Sequence, residues 1–269
     1  MITLNLIAFN VFNYCYWRLT TKHFKSSGYI CHRQAEIHYV CYGSGKPVVL
    51  LHGGLSNKLS WFSQIPMLVK SGRQVILIDT RGHAKSTLGK DKLSYQLFAE
   101  DVSKVLKNLS IHKVDIIGWS DGGITALVLA QWSPAQVNRV IAISANISPT
   151  GLTEVSQHQL MQKGSTLSQS IKKYWTGSKN YLHKLEQQIW HIWSVPVMSD
   201  VDFSQIDIPI LIIVGDSDVV TQAHSEKMVS LLKNSYLKVI TNGGHATPVT
   251  HAREINTLIN DFLVNPSFQ

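Results

Sequence analysis

The sequence predicts an α/β fold with a mostly parallel central sheet, helices on both faces and an inserted helical cap. Three observations lead to this prediction. Continuous runs of Val, Ile and Leu recur along the chain, helix-length segments separate them, and residues 148–205 contain no strand-like run. Continuous apolar runs are typical of strands covered on both faces, and strands that alternate with helices favour a parallel sheet. The length of 269 residues suits one large domain with an insertion.

The individual elements follow in order along the chain. A β-hairpin is predicted over residues 29–42, before a turn cluster at 43–47. Further strands are predicted at 47–51, 74–79, 114–118, 137–143, 209–215 and 239–241. Helices are predicted at 57–70, 94–108, 122–133, 222–233 and 250–264. The chain therefore divides into an apolar extension (1–28), an α/β core (29–147 and 206–269) and a helical cap (148–205).

The cap interrupts the core between two strands. We therefore expect it over the carboxyl edge of the sheet, where open α/β sheets bind ligands. Most of its aromatic and Met side chains are expected to pack the cap onto the core, and the others to shape a substrate pocket. These side chains are Met161, Tyr174, Trp175, Tyr181, Trp190, Trp193 and Met198.

Charge and cysteine content exclude several classes of protein. The net charge is +8, but Lys and Arg are scattered with no run of five or more, so no nucleic-acid partner is expected. The charged fraction of 16% is too low for a disordered chain. Three cysteines without a CxxC pair predict neither a disulfide framework nor a zinc site, which favours a reducing, cytoplasmic location.

The N-terminal segment is apolar but weakly so. Residues 1–17 carry no charged side chain and include three Asn residues, and Arg18, Lys22 and Lys25 follow. A spanning helix needs roughly 20 apolar residues. A signal peptide is not predicted, because no positive charge precedes the apolar run and no small-residue cleavage site follows it. Two interpretations stay open: a segment that associates weakly with a membrane, and a helix docked on the domain.

The sharpest chemical motif is Gly118-Trp119-Ser120-Asp121-Gly122, which fits G-x-S-x-G. An apolar strand ends at Gly118, and a helical pattern begins near Gly122. Glycine at both flanking positions permits the sharp strand-to-helix turn that exposes a serine at the top of a sheet. The motif therefore predicts Ser120 as a nucleophile.

A serine hydroxyl is a weak nucleophile near neutral pH, so it needs a base that is oriented by an acid. In this arrangement the acid and then the His follow the Ser along the chain. His245 follows the last predicted strand and is the predicted base. Asp218 is preferred as the acid because it lies further into its loop than the alternative, Asp216. We expect Asp216 to bond its own backbone as a turn residue.

Two backbone N–H groups are expected to hold the oxyanion of the reaction. One belongs to Asp121, directly after the nucleophile. The other is predicted at Gly54, in the loop after the first core strand, with Leu55 as the alternative. His52 in the same loop is interpreted as an organiser of that loop rather than as a base.

A further loop, residues 79–86, also follows a predicted strand. It contains Asp79 and Arg81, which we expect to tie loops together below the site. Its role is therefore interpreted as structural.

Five stretches, in this order, resemble the α/β-hydrolase superfamily over residues 29–264: 52–54, 79–83 with Ser86, 118–123, 215–218 and 244–245. The stretch 118–127 is similar to the biphenyl hydrolase-like branch, which includes valacyclovir hydrolase. In that branch the Asp after the nucleophile is associated with a substrate amino group, so the resemblance implies this role for Asp121. The residues themselves favour another role, in which Asp121 caps the helix that begins at Gly122. The extension 1–28 departs from the family pattern.

The predicted function is hydrolysis of an ester or related acyl bond of a small, partly apolar substrate, through a Ser-His-Asp triad and an acyl-enzyme. Trp119, Asp121 and Leu55 are the predicted substrate contacts, and no metal or organic cofactor is implied. A carbon–carbon bond hydrolase of ring-cleavage diketones stays open, because it uses the same triad. A non-catalytic small-molecule receptor on the same fold also stays open.

Overall fold

The computed structural model describes residues 2–161 and 178–265, with side chains from residue 7 onward. The strands are β1 (Phe24–His32), β2 (Ala35–Tyr42), β3 (Lys46–Leu51), β4 (Arg73–Ile78), β5 (Val114–Trp119), β6 (Val137–Ile143), β7 (Ile210–Gly215) and β8 (Ser235–Ile240). Within the described ranges they form one eight-stranded sheet in the order β1-β2-β4-β3-β5-β6-β7-β8. β1 and β2 form an antiparallel hairpin, β2 runs antiparallel to β4, and the remaining pairs are parallel. The predicted, mostly parallel sheet is confirmed.

The helices flank this sheet and fill the insertion. They are α1 (Ile2–Thr20), α2 (Ile65–Lys70), α3 (Tyr95–Asn108), α4 (Asp121–Trp132), α5 (Glu154–Met161), α6 (Lys179–Trp193), α7 (Asp200–Ser204), α8 (Gln222–Leu231), α9 (Thr247–Thr250) and α10 (Ala252–Val264). Short 3₁₀ helices occupy Lys58–Trp61, Pro134–Gln136 and Pro149–Gly151.

Alternation along the strands sends side chains into two apolar layers. In β3, Val49 and Leu51 belong to one buried cluster, which also receives side chains from α3, α4 and α6. Val48 and Leu50 belong to a second cluster on the opposite face, built with α1, α2 and α10. Because both faces are covered, the strand sequence is continuously apolar and needs no polar alternation.

Three elements differ most from the predictions. The predicted helix 57–70 is divided into a 3₁₀ turn and α2, with Pro66 in the first turn of α2. The hairpin begins at Phe24 rather than at residue 29, and its turn uses Arg33 and Gln34 with φ of 46° and 60°. β8 begins at Ser235 rather than at residue 239. This strand lies at the edge of the sheet and its side chains are half-exposed, so its sequence lacks the continuous apolar run of the buried strands.

The helical insertion lies between β6 and β7, where the cap was expected. Its described elements are α5, α6 and α7, and α6 buries Leu182, Leu185, Ile189 and Ile192. Tyr174 and Trp175, predicted among the cap aromatics, lie outside the described residues. In the described part of the insertion, β-type pairing is limited to one isolated antiparallel bridge, between Leu152 and Val220.

The N-terminal segment forms a helix that contacts the domain through aromatic side chains. Tyr14 is buried and stacks on Trp17, with ring centroids 6.0 Å apart. Trp17 in turn lies 5.6 Å from the ring of Tyr42 in β2. Of the helices in the described ranges, none is long and apolar enough to cross a membrane.

Candidate active site

Ser120 occupies the sharp turn between β5 and α4. Its backbone lies in the left-handed region, with φ of 54° and ψ of −120°. The flanking glycines are required by close approach: a Cβ at Gly118 would lie 2.2 Å from the carbonyl oxygen of Gly122, and a Cβ at Gly122 would lie 2.1 Å from that of Leu51. A strained backbone for a residue with a side chain costs about 1–3 kcal/mol and is common at functional sites. The turn thereby presents the Ser120 hydroxyl at the carboxyl edge of the sheet.

Ser120, His245 and Asp218 form a continuous hydrogen-bonded chain. The Ser120 Oγ lies 3.0 Å from His245 Nε2, and His245 Nδ1 lies 2.7 Å from Asp218 Oδ1. Since Asp218 faces Nδ1, that nitrogen carries the proton and Nε2 is left to accept the serine proton. About one third of the His245 side chain is exposed, whereas that of Asp218 is buried.

The environment of Asp218 keeps it ionised. Burial alone would raise its pKa, but the hydrogen bond and charge of His245, with a bond from Ser144, hold the pKa below its ordinary value. Ser144 Oγ donates to Asp218 Oδ2 over 2.5 Å, and the Val220 N–H donates to Oδ1 over 3.2 Å. Asp216, the alternative acid, is exposed and accepts the Asn242 N–H over 2.8 Å.

The interpretation of Asp121 as a helix cap is wrong. α4 begins at Asp121, one residue earlier than expected, so Ser120 holds the capping position and Asp121 is the first helical residue. The Asp121 carboxylate turns away from the helix: Oδ1 accepts from Tyr95 Oη over 2.9 Å and from Trp193 Nε1 over 2.7 Å. Its Oδ2 is buried without a hydrogen-bond partner among the described residues.

Burial also sets the charge of Asp121. It raises the pKa of this carboxyl to about 6, although the donors Tyr95 and Trp193 and the charge of His245 oppose the shift. The group is therefore ionised above neutral pH but is poorly compensated, because one of its oxygens has no donor.

The loop after β3 approaches both Ser120 and Asp121. A Cβ at Gly53 would lie 3.3 Å from the Ser120 Cβ, and a Cβ at Gly54 would lie 2.4 Å from Asp121 Oδ2. The Leu55 N–H donates to His83 Nε2 over 2.9 Å, so it is already engaged. Of the two predicted second donors for an oxyanion, Leu55 is thus already used by His83, and Gly54 stays the predicted donor.

Two neutral imidazoles support this loop from below. The Nδ1 of His52 donates to the Gly53 carbonyl over 2.8 Å, and its Nε2 accepts the Thr80 N–H over 3.0 Å. His83 Nδ1 donates to the carbonyl of Arg81 over 2.9 Å. Burial lowers the pKa of both, that of His52 to about 3, so each stays neutral and keeps a fixed tautomer.

The loop 79–86 is held by ion pairs. Asp79 is fully buried and pairs with the Lys58 ammonium, while Arg81 donates to Asp101 of α3 over 2.8 and 2.6 Å. Burial alone would raise the pKa of Asp79, but Lys58 holds it below its ordinary value. These contacts connect the loop to the 3₁₀ turn after β3 and to α3.

A cavity of about 220 Å³ opens above the Ser120 hydroxyl. Its core-side wall includes Ser120, Asp121 and His245, and its outer wall comes largely from the cap, with Trp190 and Trp193 among its residues. The wall is mainly apolar, and the remaining described residues that line it are Tyr95, Ile124, Asn146, Leu152, Ser156, Gln159, Leu160, Ile192, Val195, Val197, Val219 and Val220.

Two predicted substrate contacts lie elsewhere. Trp119 donates from its Nε1 to the carbonyl of His245 over 2.7 Å and packs beside that imidazole, so it supports the His245 loop. Leu55 packs against the main apolar cluster. Because their side chains point into these packing positions, neither is part of the described cavity wall, and only Asp121 of the three predicted contacts faces it.

Four contributing residues were not predicted from the sequence: Tyr95, Ser144, His83 and, as a partner of Asp121, Trp193. Ser144 directly follows β6 at the carboxyl edge, which was an available signal. Across the described ranges, no group of three or more His, Cys, Asp or Glu residues is placed to hold a metal ion.

Comparisons with known proteins agree with the observed fold. A family model described as the alpha/beta hydrolase fold matches residues 46–169. The human serine hydrolase BPHL is 26% identical over 251 residues, covering 85% of this chain and 83% of its own. A non-heme haloperoxidase of Rhodococcus erythropolis is 28% identical over 271 residues, covering 85% and 96%. The meta-cleavage product hydrolase of Pseudomonas fluorescens superposes with a TM-score of 0.74 at 21% identity, covering 88% of this chain and 97% of its own.

Proposed function

The chain belongs to the α/β-hydrolase superfamily, and we propose that it is a serine hydrolase that cleaves an ester or related acyl bond of a small, partly apolar substrate. One observation carries this proposal: Ser120, His245 and Asp218 are joined by hydrogen-bond distances of 3.0 and 2.7 Å at the floor of a mainly apolar cavity. A nucleophile, a base and an orienting acid in that geometry are the requirements of acyl transfer.

The proposed reaction proceeds in two half-reactions. The Ser120 Oγ attacks the carbonyl carbon while His245 Nε2 takes the serine proton, and the N–H groups of Asp121 and Gly54 hold the resulting oxyanion. Collapse expels the leaving group, which takes the proton from His245, and leaves an acyl group on Ser120. Water, deprotonated by His245, then attacks the acyl carbon and releases the acid. One oxyanion donor contributes about 3–4 kcal/mol to lowering the barrier.

The favoured substrates also carry a cationic amine near the scissile bond. The Asp121 carboxylate lies in the cavity wall next to the nucleophile, and its Oδ2 has no donor among the described residues. An ammonium group in the cavity would balance the charge of this carboxylate. The test is a pair of esters with the same acyl group, one with a free α-amine and one N-acetylated.

Labelling with a fluorophosphonate probe tests the nucleophile. We expect one adduct on Ser120, read by intact mass and peptide mapping, and none on the S120A or H245A variants. Ser217 is an exposed hydroxyl in the Asp218 loop, so S217A is the matched control and is expected to label fully. An adduct that persists in S120A would contradict the assignment.

The two aspartates of one loop provide a second matched pair. Asp218→Asn is expected to lower kcat by about 10⁴-fold, because the imidazole loses its orienting carboxylate. Asp216→Asn is expected to leave kcat unchanged, since Asp216 binds the backbone of Asn242 instead. An equal loss of kcat in both variants would contradict the assignment of Asp218 as the orienting acid.

A substrate panel separates the alternatives that use the same site. Ester turnover that exceeds turnover of ring-cleavage diketones supports the proposal. Diketone cleavage with little esterase activity supports carbon–carbon bond hydrolysis instead. Tight ligand binding with turnover slower than about one per hour, against usual enzyme rates of about 1–10³ per second, identifies a receptor.

A further inference from the structure

The docked side of α1 is narrow. Ile7, Asn10, Tyr14 and Trp17 are its partly or fully buried side chains, at spacings of three, four and three residues. Such spacing marks a single stripe along a helix, because successive residues are turned by about 100°. The other described side chains of α1 are exposed.

The opposite side of α1 is apolar and uncovered. Phe9, Phe12, Tyr16 and Leu19 follow the same spacing as the docked stripe and project from the other side of the helix. We call these four residues the outer face. They are 60–86% exposed, which is unusual for large apolar side chains that lie together on one surface. Packing of α1 on the domain therefore leaves this face without a described partner.

Basic residues follow the outer face along the chain: Arg18 lies one turn after Tyr14 on the docked side, and Lys22 and Lys25 lie directly after the helix. The first acidic residue of the chain is Glu36, whereas Arg18, Lys22 and Lys25 follow the apolar stretch directly. All three cations are exposed. This segment combines an uncovered apolar face with nearby cations and has no acidic residue before position 36. It is therefore complementary to a membrane surface, which has anionic headgroups above an apolar interior.

We propose that α1 lies in the plane of an anionic membrane surface, with Phe9, Phe12, Tyr16 and Leu19 among the lipid chains and with Lys22 and Lys25, directly after the helix, at the headgroups. Aromatic side chains with adjacent Lys and Arg are typical of helices that bind in the membrane interface. A spanning arrangement does not fit, because no described helix is long and apolar enough.

A second copy of the chain is the competing occupant of the outer face. In a parallel packing of two outer faces, Lys22 and Lys25 of one copy would lie near those of the other. Since the first 35 residues contain no acid, no nearby side chain of this segment would compensate them. Like charges at an interface cost free energy, which favours the lipid surface.

Vesicle sedimentation of the full chain tests the proposal. Vesicles of phosphatidylcholine with phosphatidylserine are expected to bind the protein, and phosphatidylcholine alone much less. Raising the salt from about 0.1 M to about 1 M shortens the Debye length from about 10 Å to about 3 Å and should weaken binding. Replacing Lys22 and Lys25 by Gln is expected to reduce binding about fivefold for each residue.

Paired variants identify the face. Phe9→Ser with Phe12→Ser is expected to weaken vesicle binding by about tenfold or more. The matched control, Val201→Ser with Val264→Ser, removes exposed apolar side chains elsewhere and is expected to bind normally. Circular dichroism and hydrolysis of a soluble ester verify that each variant is folded.

Three results would overturn the proposal. The first is absence of binding to anionic vesicles by the parent protein. The second is equal loss of binding in the control pair. The third is a dimer, seen by light scattering, that the Phe9 and Phe12 variant dissociates while vesicle binding is unchanged, since that would assign the outer face to a second copy.

Discussion

Replacement of Asp121 by Asn removes the charge of the buried carboxylate and keeps its shape. Asn retains one oxygen that can accept from Tyr95 and Trp193, whose donors lie 2.9 and 2.7 Å from Oδ1. It places an uncharged amide where Oδ2 is buried without a partner. The variant therefore isolates the electrostatic contribution of Asp121 to stability and to substrate binding.

The expected size of the effect follows from the raised pKa. Burial raises the pKa of Asp121 from 3.8 to about 6. Two pKa units correspond to about 3 kcal/mol, at about 1.4 kcal/mol for each unit. Because the folded-state pKa is the higher one, the carboxyl favours folding below pH 3.8, and this contribution is lost as the pH rises through about 6. Asp121→Asn is thus expected to raise the free energy of unfolding by about 3 kcal/mol at pH 8.

The assay is urea unfolding of both proteins across this pH range. The difference between them should be small below pH 3.8, grow up to about pH 6 and stay constant above it. Asp216→Asn changes an exposed carboxylate and serves as the matched control substitution. A pH-independent difference, or a variant that is less stable at pH 8, would refute the account of Asp121.

The same variant has a kinetic signature, which depends on the proposed amine site. For an ester with a free α-amine, Asp121→Asn is expected to raise KM, whereas KM for the N-acetylated ester should be unchanged. In the parent protein, KM for the amino ester should fall as the pH rises through about 6, because the carboxyl ionises there. Equal KM changes for both esters would contradict the amine site and leave the stability result intact.

Three further substitutions test the surroundings of the triad. Ser144→Ala removes the donor 2.5 Å from Asp218 Oδ2 and is expected to lower kcat about tenfold with little change in KM, as steady-state kinetics would show. His83→Ala leaves the Leu55 N–H without its acceptor, so the free energy of unfolding should fall by about 1–3 kcal/mol and kcat should fall with it; an unchanged kcat would separate His83 from the oxyanion loop. Gly122→Ala would place a Cβ 2.1 Å from a backbone oxygen of β3, and we expect about 3 kcal/mol or more of destabilisation in urea unfolding, so a variant of normal stability would contradict the close approach.

The fold was predictable because both faces of the sheet are covered. β6 and β7 lie deep in it, and their apolar runs gave boundaries within one residue of those observed. The predicted β8 was too short, because an edge strand needs no continuous apolar sequence that would mark its start. The hairpin turn was not marked by Gly or Asn, since Arg33 and Gln34 adopt the left-handed conformation there. Prediction therefore failed where tertiary packing, rather than local composition, decides the conformation.

The loops of the site were also predictable, since parallel strands bring their carboxyl ends to one edge. Chain order alone placed Ser120, Asp218 and His245 on that edge, and the structure brings them within hydrogen-bond distance. The choice between Asp216 and Asp218 depended on how far each lies into its loop. Ser144 was missed because a serine after a strand has no distinctive spacing to the acid it contacts, 74 residues away.

Asp121 shows why the remaining part of the site could not be predicted. The interpretation of Asp121 as an N-terminal helix cap was wrong because α4 begins one residue earlier than predicted. The start of the helix decides whether this carboxylate points at helix N–H groups or away from them. Its donors are Tyr95, 26 residues earlier in α3, and Trp193, 72 residues later at the end of α6. The position of Asp121 is therefore set by the turn, but the orientation and charge of its carboxylate depend on the core helix and the cap insertion together. Since the cap insertion supplies one of these two donors, the proposed amine site depends on cap packing as much as on the G-x-S-x-G motif.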